Sequence, residues 1–98
     1  MSCSFLAPAR SELEEAVAFY DSRQDGLGDE FAAEAQAALS RILHNPKAWP
    51  RLSAEVRRCR LRRFPYGVVC QVRPEGILIV AVMHLRRHPS YWRERLRP

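Results

Sequence analysis

Ile77 to Met83 is an unbroken run of seven apolar residues, and it constrains the fold of this chain more than any other segment. The run is short and rich in β-branched Ile and Val, which predicts a strand rather than a helix. A strand with no polar alternation must be covered, so it is expected at the centre of a sheet with helices over at least one face. The preceding Arg73-Pro74-Glu75-Gly76 combines residues that favour a tight turn, which predicts a hairpin with a strand over Val68–Val72.

The first half supplies the covering helices. Pro8 can open one, because its missing N–H is not needed in a first helical turn. Leu13, Ala16, Val17 and Tyr20 follow at helical spacing and form one apolar stripe. Glu12, Glu14 and Glu15 are read as lying near the helix N-terminus, where negative charge is favoured. Polar residues and two glycines in Asp21–Gly28 break the pattern. A second, alanine-rich helix is capped near Asp29 and places Phe31, Ala35, Ala38, Leu39 and Ile42 on one face. It stops at His44-Asn45-Pro46, since a residue before proline is pushed out of the helical region. The pair makes a helical hairpin.

Beyond Pro46 the period changes to two. Val56–Arg63 predicts a strand with Cys59 and Leu61 on one face and Arg58, Arg60 and Arg62 on the other. Phe64-Pro65-Tyr66-Gly67 turns the chain. Ser4–Ala7 is a candidate edge strand, and Pro89 opens a short final helix holding Tyr91, Trp92 and Leu96. The order is β-α-α-β-β-β plus a tail, an α+β fold with two antiparallel helices on a mostly antiparallel sheet. The other sheet face is expected to display the arginines. Residues 1–98 read as one domain, a length with room for a modest core.

Charge is divided unevenly. Residues 1–50 hold eight acids and four bases; residues 51–98 hold three acids and twelve bases, every one an arginine. A second half at +9 points to an anionic partner, either nucleic acid or an acidic protein segment. Arginine suits bidentate recognition of phosphate or carboxylate, although a GC-rich genome also favours it. Cys3, Cys59 and Cys70 lack paired spacing, which argues against a disulfide framework or a zinc site and marks them as small core residues. No metal or cofactor is expected. Neither a signal peptide nor an apolar run near the roughly 18 residues of a membrane span is present, so no membrane partner and a cytoplasmic location are expected.

Several residues carry two readings. The arginine row is either a partner-facing surface or the solvated face of a half-buried sheet. His84 is either an acid/base group or a partly buried, backbone-bonded histidine, and His88 either an acid/base group or a loop residue. Tyr91 either stacks on a base or anchors the tail. Trp49 and Trp92 are read as packing anchors.

Five pieces of the chain resemble the RelE/ParE superfamily of toxins from bacterial type II toxin–antitoxin systems. They are SELEEAVAFY, LGDEF, the Asn45-Pro46 stop, LRRFPYGVVCQV and AVMHLRRHPSYWRERL. Together they run in order over nearly the whole chain. RFPYG combined with H-x-x-R-x-P-x-Y-W resembles the plasmid-stabilisation members in particular. The resemblance implies a growth-inhibiting toxin neutralised by a cognate antitoxin. One branch cleaves mRNA on the ribosome, and the other inhibits DNA gyrase without a nuclease site.

Set against the nuclease branch, Arg58 and Arg60 stand where two alternating lysines are expected, and Tyr91 matches a tail tyrosine. Gly67 stands in place of one arginine. Leu85 stands in place of another, with Arg86 and Arg87 directly after it, so that a one-residue slip restores it. RNA cleavage by 2′-OH attack needs a base, charge for the phosphorane and a donor for the leaving oxygen. Arginine binds phosphate but is a poor base. A nuclease built from this chain would therefore draw on Arg58, Arg60, His84, Arg86 and Tyr91, with Glu55 as base only if it faces the same groove. The antitoxin- or target-binding surface would comprise Arg58, Arg60, Arg62, Arg63, Arg86 and Arg87. The two missing arginines favour the gyrase-inhibiting reading. A ribosome-dependent mRNA endonuclease is the alternative, and a non-toxic member that only binds its partner is a third reading.

Overall fold

The computed structural model describes residues 2–97. The elements are β1 (Ser2–Phe5), α1 (Ala7–Arg23), α2 (Leu27–His44), β2 (Val56–Arg60), β3 (Tyr66–Arg73) and β4 (Gly76–His84), followed by a 3-10 turn over Arg93–Leu96. The sheet runs β1-β4-β3-β2, with β1 parallel to β4 and the other pairs antiparallel. The apolar run is thus an interior strand, and every residue of β4 except His84 is buried. The α+β order read from the sequence holds. No described helix is long and apolar enough to cross a membrane.

The boundaries differ from the sequence reading in ways that matter. β1 lies at Ser2–Phe5, not Ser4–Ala7, because α1 already begins at Ala7. Glu12, Glu14 and Glu15 therefore fall beyond the first helical turn, which holds no acidic residue. The cap of α2 is Gly26, in the left-handed region at φ 85°, and Asp29 lies within the first turn. Capping is supplied from the preceding helix: the Asp21 carboxylate accepts the N–H of Gly26 at 3.1 Å and of Gly28 at 3.3 Å. Gly28 also lets the helices touch. A Cβ there would lie 2.5 Å from the Val17 carbonyl oxygen and 2.8 Å from Asp21 Cβ. Backbone cannot yield as a side-chain tip does, so Gly28→Ala is expected to cost about 2 kcal/mol and lower the Tm by roughly 8–16 °C. Thermal unfolding followed by circular dichroism measures this, and an unchanged midpoint would contradict the contact.

The inner sheet face meets the helices. Cys59, Val68, Cys70, Ile77, Ile79 and Val82 pack with Ala9, Ala16, Phe31, Ala38 and Ile42. An aromatic cluster closes one end, where the ring centroids of Tyr20 and Phe31 lie 5.4 Å apart, Phe31 and Phe64 5.1 Å, and Phe31 and Tyr66 5.0 Å. The outer face has its own cover. Val56, Val69, Leu78, Val80, Ala81 and Met83 form a second cluster with Trp92, and Leu52, Tyr91 and Leu96 pack on it. The outer face was expected to display arginines; the C-terminal tail takes the β4 side of it, and only the β2 side is left to them.

A bulge produces this division. Val69 pairs with Ala81, but Cys70 pairs with Ile79, so Val80 has no partner on β3. Val80 and Ala81 then both join the outer cluster. The strand thus buries apolar residues on both sides, which explains its lack of polar alternation.

Candidate functional site

β1 ends opposite Ile79, and the Leu6 N–H bonds the Ile79 carbonyl at 2.9 Å. Beyond that point the backbone groups of β4 need other partners. Two side chains provide them. Arg95 donates to the Val80 carbonyl at 2.9 Å, and Glu12 Oε1 accepts the Val82 N–H at 3.1 Å. The same two side chains form a bidentate pair, Nη1 to Oε1 at 2.7 Å and Nη2 to Oε2 at 2.9 Å, and Tyr91 donates its hydroxyl to Oε2 at 2.7 Å. Glu12 therefore accepts four hydrogen bonds, about all that a carboxylate can hold. Burial alone would push its carboxyl up, but the bonds from Arg95, Tyr91 and Val82, with the Arg95 charge, hold it below the ordinary value. The Tyr91 hydroxyl is pushed up, first because it donates to Glu12 and then by burial.

This network holds the tail to α1 and β4. It borders a cleft of about 350 Å³ lined by residues that include Glu15, Phe19, Tyr66, His84 and Arg87. Phe19 is the one large exposed apolar side chain among the described residues. Arg87 and Arg95 lie 4.8 and 4.9 Å from the Tyr91 ring centroid, within cation–π range.

The arginines named from the sequence divide into two groups. Arg58 and Arg60 lie on β2 opposite Val69 and Gly67, on the outer face, with no carboxylate partner among the described residues. Arg62 and Arg63 do not continue that row, because β2 ends at Arg60 and not at Arg63. Their backbone N–H groups turn toward α2 and bond Glu34 Oε1 at 2.9 and 3.4 Å, and the Arg63 guanidinium pairs with Glu30 at 2.8 Å. The Glu34 carboxyl is lowered chiefly by the Arg62 N–H. Arg86 and Arg87 are exposed in the turn after β4. Arg57, directly before Arg58 in sequence, is consumed internally by the carbonyls of Lys47 and Trp49.

The candidate nuclease groups are not all gathered in one place: His84 and Tyr91 line the cleft, whereas Arg58 and Arg60 lie on β2. His84 pairs across the sheet with Tyr66, and the two rings meet edge to face at 5.2 Å. Tyr66 belongs to the helix-side core, so His84 is on the face opposite Arg58 and Arg60. Its Nδ1 accepts the Arg86 N–H at 3.1 Å, the half-buried, backbone-bonded arrangement set out as one of its two readings. His88 is an exposed loop residue whose Nδ1 is bonded by Ser90. The backbone of β4, which the Tyr91 network holds, is two strand spacings from β2, about 9–10 Å. Glu55 precedes β2 at the end away from Arg60, roughly 16 Å along the strand. The cysteines are core residues: Cys59 and Cys70 are buried, and burial pushes the Cys70 thiol up to about 11. Trp92 is buried on the outer face and Trp49 packs against the inner core, both as anchors.

Comparison with known proteins decides the family. The model of the ParE toxin of type II toxin–antitoxin system, parDE, matches residues 4–89. The chain belongs to the ParE toxin family. Among solved structures, the chromosomal ParDE TA system from P. aeruginosa shares the fold, with a TM-score of 0.64 at 20% identity over 86% of this chain and 95% of that one. No curated protein matches in sequence. The RelE/ParE resemblance is thereby borne out and narrowed to ParE. As a ParE-family toxin, the chain carries Arg58 and Arg60 on the β2 side of the outer face and Arg86 and Arg87 in the turn after β4, none of them in an ion pair among the described residues. The Glu12–Arg95–Tyr91 network was not read from the sequence. Its only trace there is an acid on a helix and an arginine 83 positions later, with nothing to join them.

Proposed function

We propose that this ParE-family toxin inhibits DNA gyrase by protein contact, with no hydrolytic step of its own, in the cytoplasm. The observation that supports this most is the dispersal of the nuclease groups. The Tyr91 hydroxyl is committed to Glu12, His84 faces away from Arg58 and Arg60, and Gly67 offers no cation. A general base, a phosphate clamp and a leaving-group donor must converge within hydrogen-bond reach of one phosphodiester, and these do not. A cognate antitoxin neutralises the toxin by laying an acidic segment against Arg58 and Arg60, with Arg86 and Arg87 contributing from the turn after β4.

Two reactions with purified chain test the target. In the first, it is added to gyrase, relaxed plasmid and ATP, and supercoiling is expected to be blocked. In the second, it is added to translating ribosomes, and the mRNA is expected to stay intact. Shortened mRNA with unimpaired supercoiling would overturn the proposal in favour of a ribosome-dependent endonuclease.

A further inference from the structure

Gly67 and Leu85, the two positions at which the chain lacks an arginine of the nuclease pattern, are neighbours in space. A Cβ built on Gly67 would lie 2.8 Å from both Cγ and Cδ of Arg58 and 3.4 Å from Cδ2 of Leu85. The Arg58 stem therefore crosses from β2 and lies over the bare backbone of Gly67, with Leu85 beside it. Gly67 is buried although it has no side chain, because these neighbours cover it. Substituting a larger residue at 67 requires the Arg58 methylenes to leave.

The geometry points to Gly67 and Leu85 as positioning residues for Arg58: they form a seat that holds its stem, so that its guanidinium stands preformed beside Arg60 to receive carboxylates of an acidic antitoxin segment. Arg58 and Arg60 are two residues apart on one face, about 7 Å along the strand. Arg57, Arg63 and Arg95 are bonded within the chain, whereas this pair has no carboxylate partner among the described residues. A long side chain that is already packed loses less rotamer freedom on binding, and its apolar stem keeps contact while its head stays available. The inference rests on the proposal that Arg58 and Arg60 contact the antitoxin.

Relaxation of the Arg58 Nε–Hε group by nitrogen-15 NMR reads the seat in the free toxin, without a partner. Wild-type order is expected near the roughly 0.85 of a rigid group, falling below about 0.6 in Gly67→Ala and in Leu85→Ala, with Arg60 unchanged. Leu85→Ala adds no volume, so it reports on the seat even where Gly67→Ala fails to fold. Equal order in all folded variants would overturn the seat. Affinity for the co-expressed cognate antitoxin, measured by calorimetry, completes a double-mutant cycle. Arg58→Ala is expected to weaken binding roughly 10–100-fold. Leu85→Ala alone is expected to weaken it about 3–10-fold, and to add nothing once Arg58 is alanine. Additive losses would overturn the positioning role and leave the arginine pair as the contact. A silent Arg58→Ala would overturn the contact itself, and the role of the seat with it.

Discussion

Glu12→Ala is expected to lower the unfolding free energy by about 3 kcal/mol and the Tm by roughly 12–24 °C, a large loss for a chain of this size. The side chains of Glu12 and Arg95 are each only 16% exposed, so their interaction is screened far less than a surface ion pair. Removing the carboxylate leaves the Arg95 charge half-buried and strips the Val82 N–H and the Tyr91 hydroxyl of their acceptor. Tyr91→Phe removes one of the four bonds and is expected to cost about 1 kcal/mol. pH dependence follows from the lowered Glu12 carboxyl. The unfolded chain takes up its proton near 4.5, whereas the folded chain resists it to lower pH. The contribution is therefore complete above the unfolded value and is lost as pH falls from there through the depressed folded value. Glu12→Gln should flatten that part of the stability profile, and a profile matching wild type would contradict the network.

Arg58→Glu combined with Arg60→Glu is expected to weaken the antitoxin complex by two to three orders of magnitude while leaving the fold intact. The fold is spared because neither guanidinium has an internal carboxylate to lose among the described residues. Binding is lost because like charges then face the acidic segment. Arg63→Glu is the contrasting variant, since its guanidinium already pairs with Glu30 and lies off the outer face. Titrations at two salt concentrations measure all three. Affinity unchanged in the double variant would remove the outer arginines from the interface.

The fold was largely legible in the sequence because its signals are local. The stripe Leu13–Tyr20, the Asn45-Pro46 stop and the apolar run Ile77–Met83 each report their own element. Two things were not legible. The bulge at Val80 looks in sequence like any other β-branched residue of the run, yet it decides that Ala81 faces outward. The end of β2 was misplaced because Leu61 and Arg62 continue the alternation, while Glu34 draws the backbone toward α2 from 28 positions away. The candidate site was legible in its residues but not in their grouping. Arg58 and Arg60 share a face as alternation requires. His84 and Tyr91 do not join them, since the sheet stands between His84 and the pair, and Glu12 claims the Tyr91 hydroxyl. Gly67 reads as a gap in a motif, and only the stem of Arg58 across it gives that gap a content.

Inducing the chain without its antitoxin and following DNA and protein synthesis by pulse labelling tests the central claim most directly. A gyrase inhibitor is expected to stop DNA synthesis first, with protein synthesis continuing for a time. Protein synthesis stopping first would contradict the account and return Arg58, Arg60 and Tyr91 to a nuclease site.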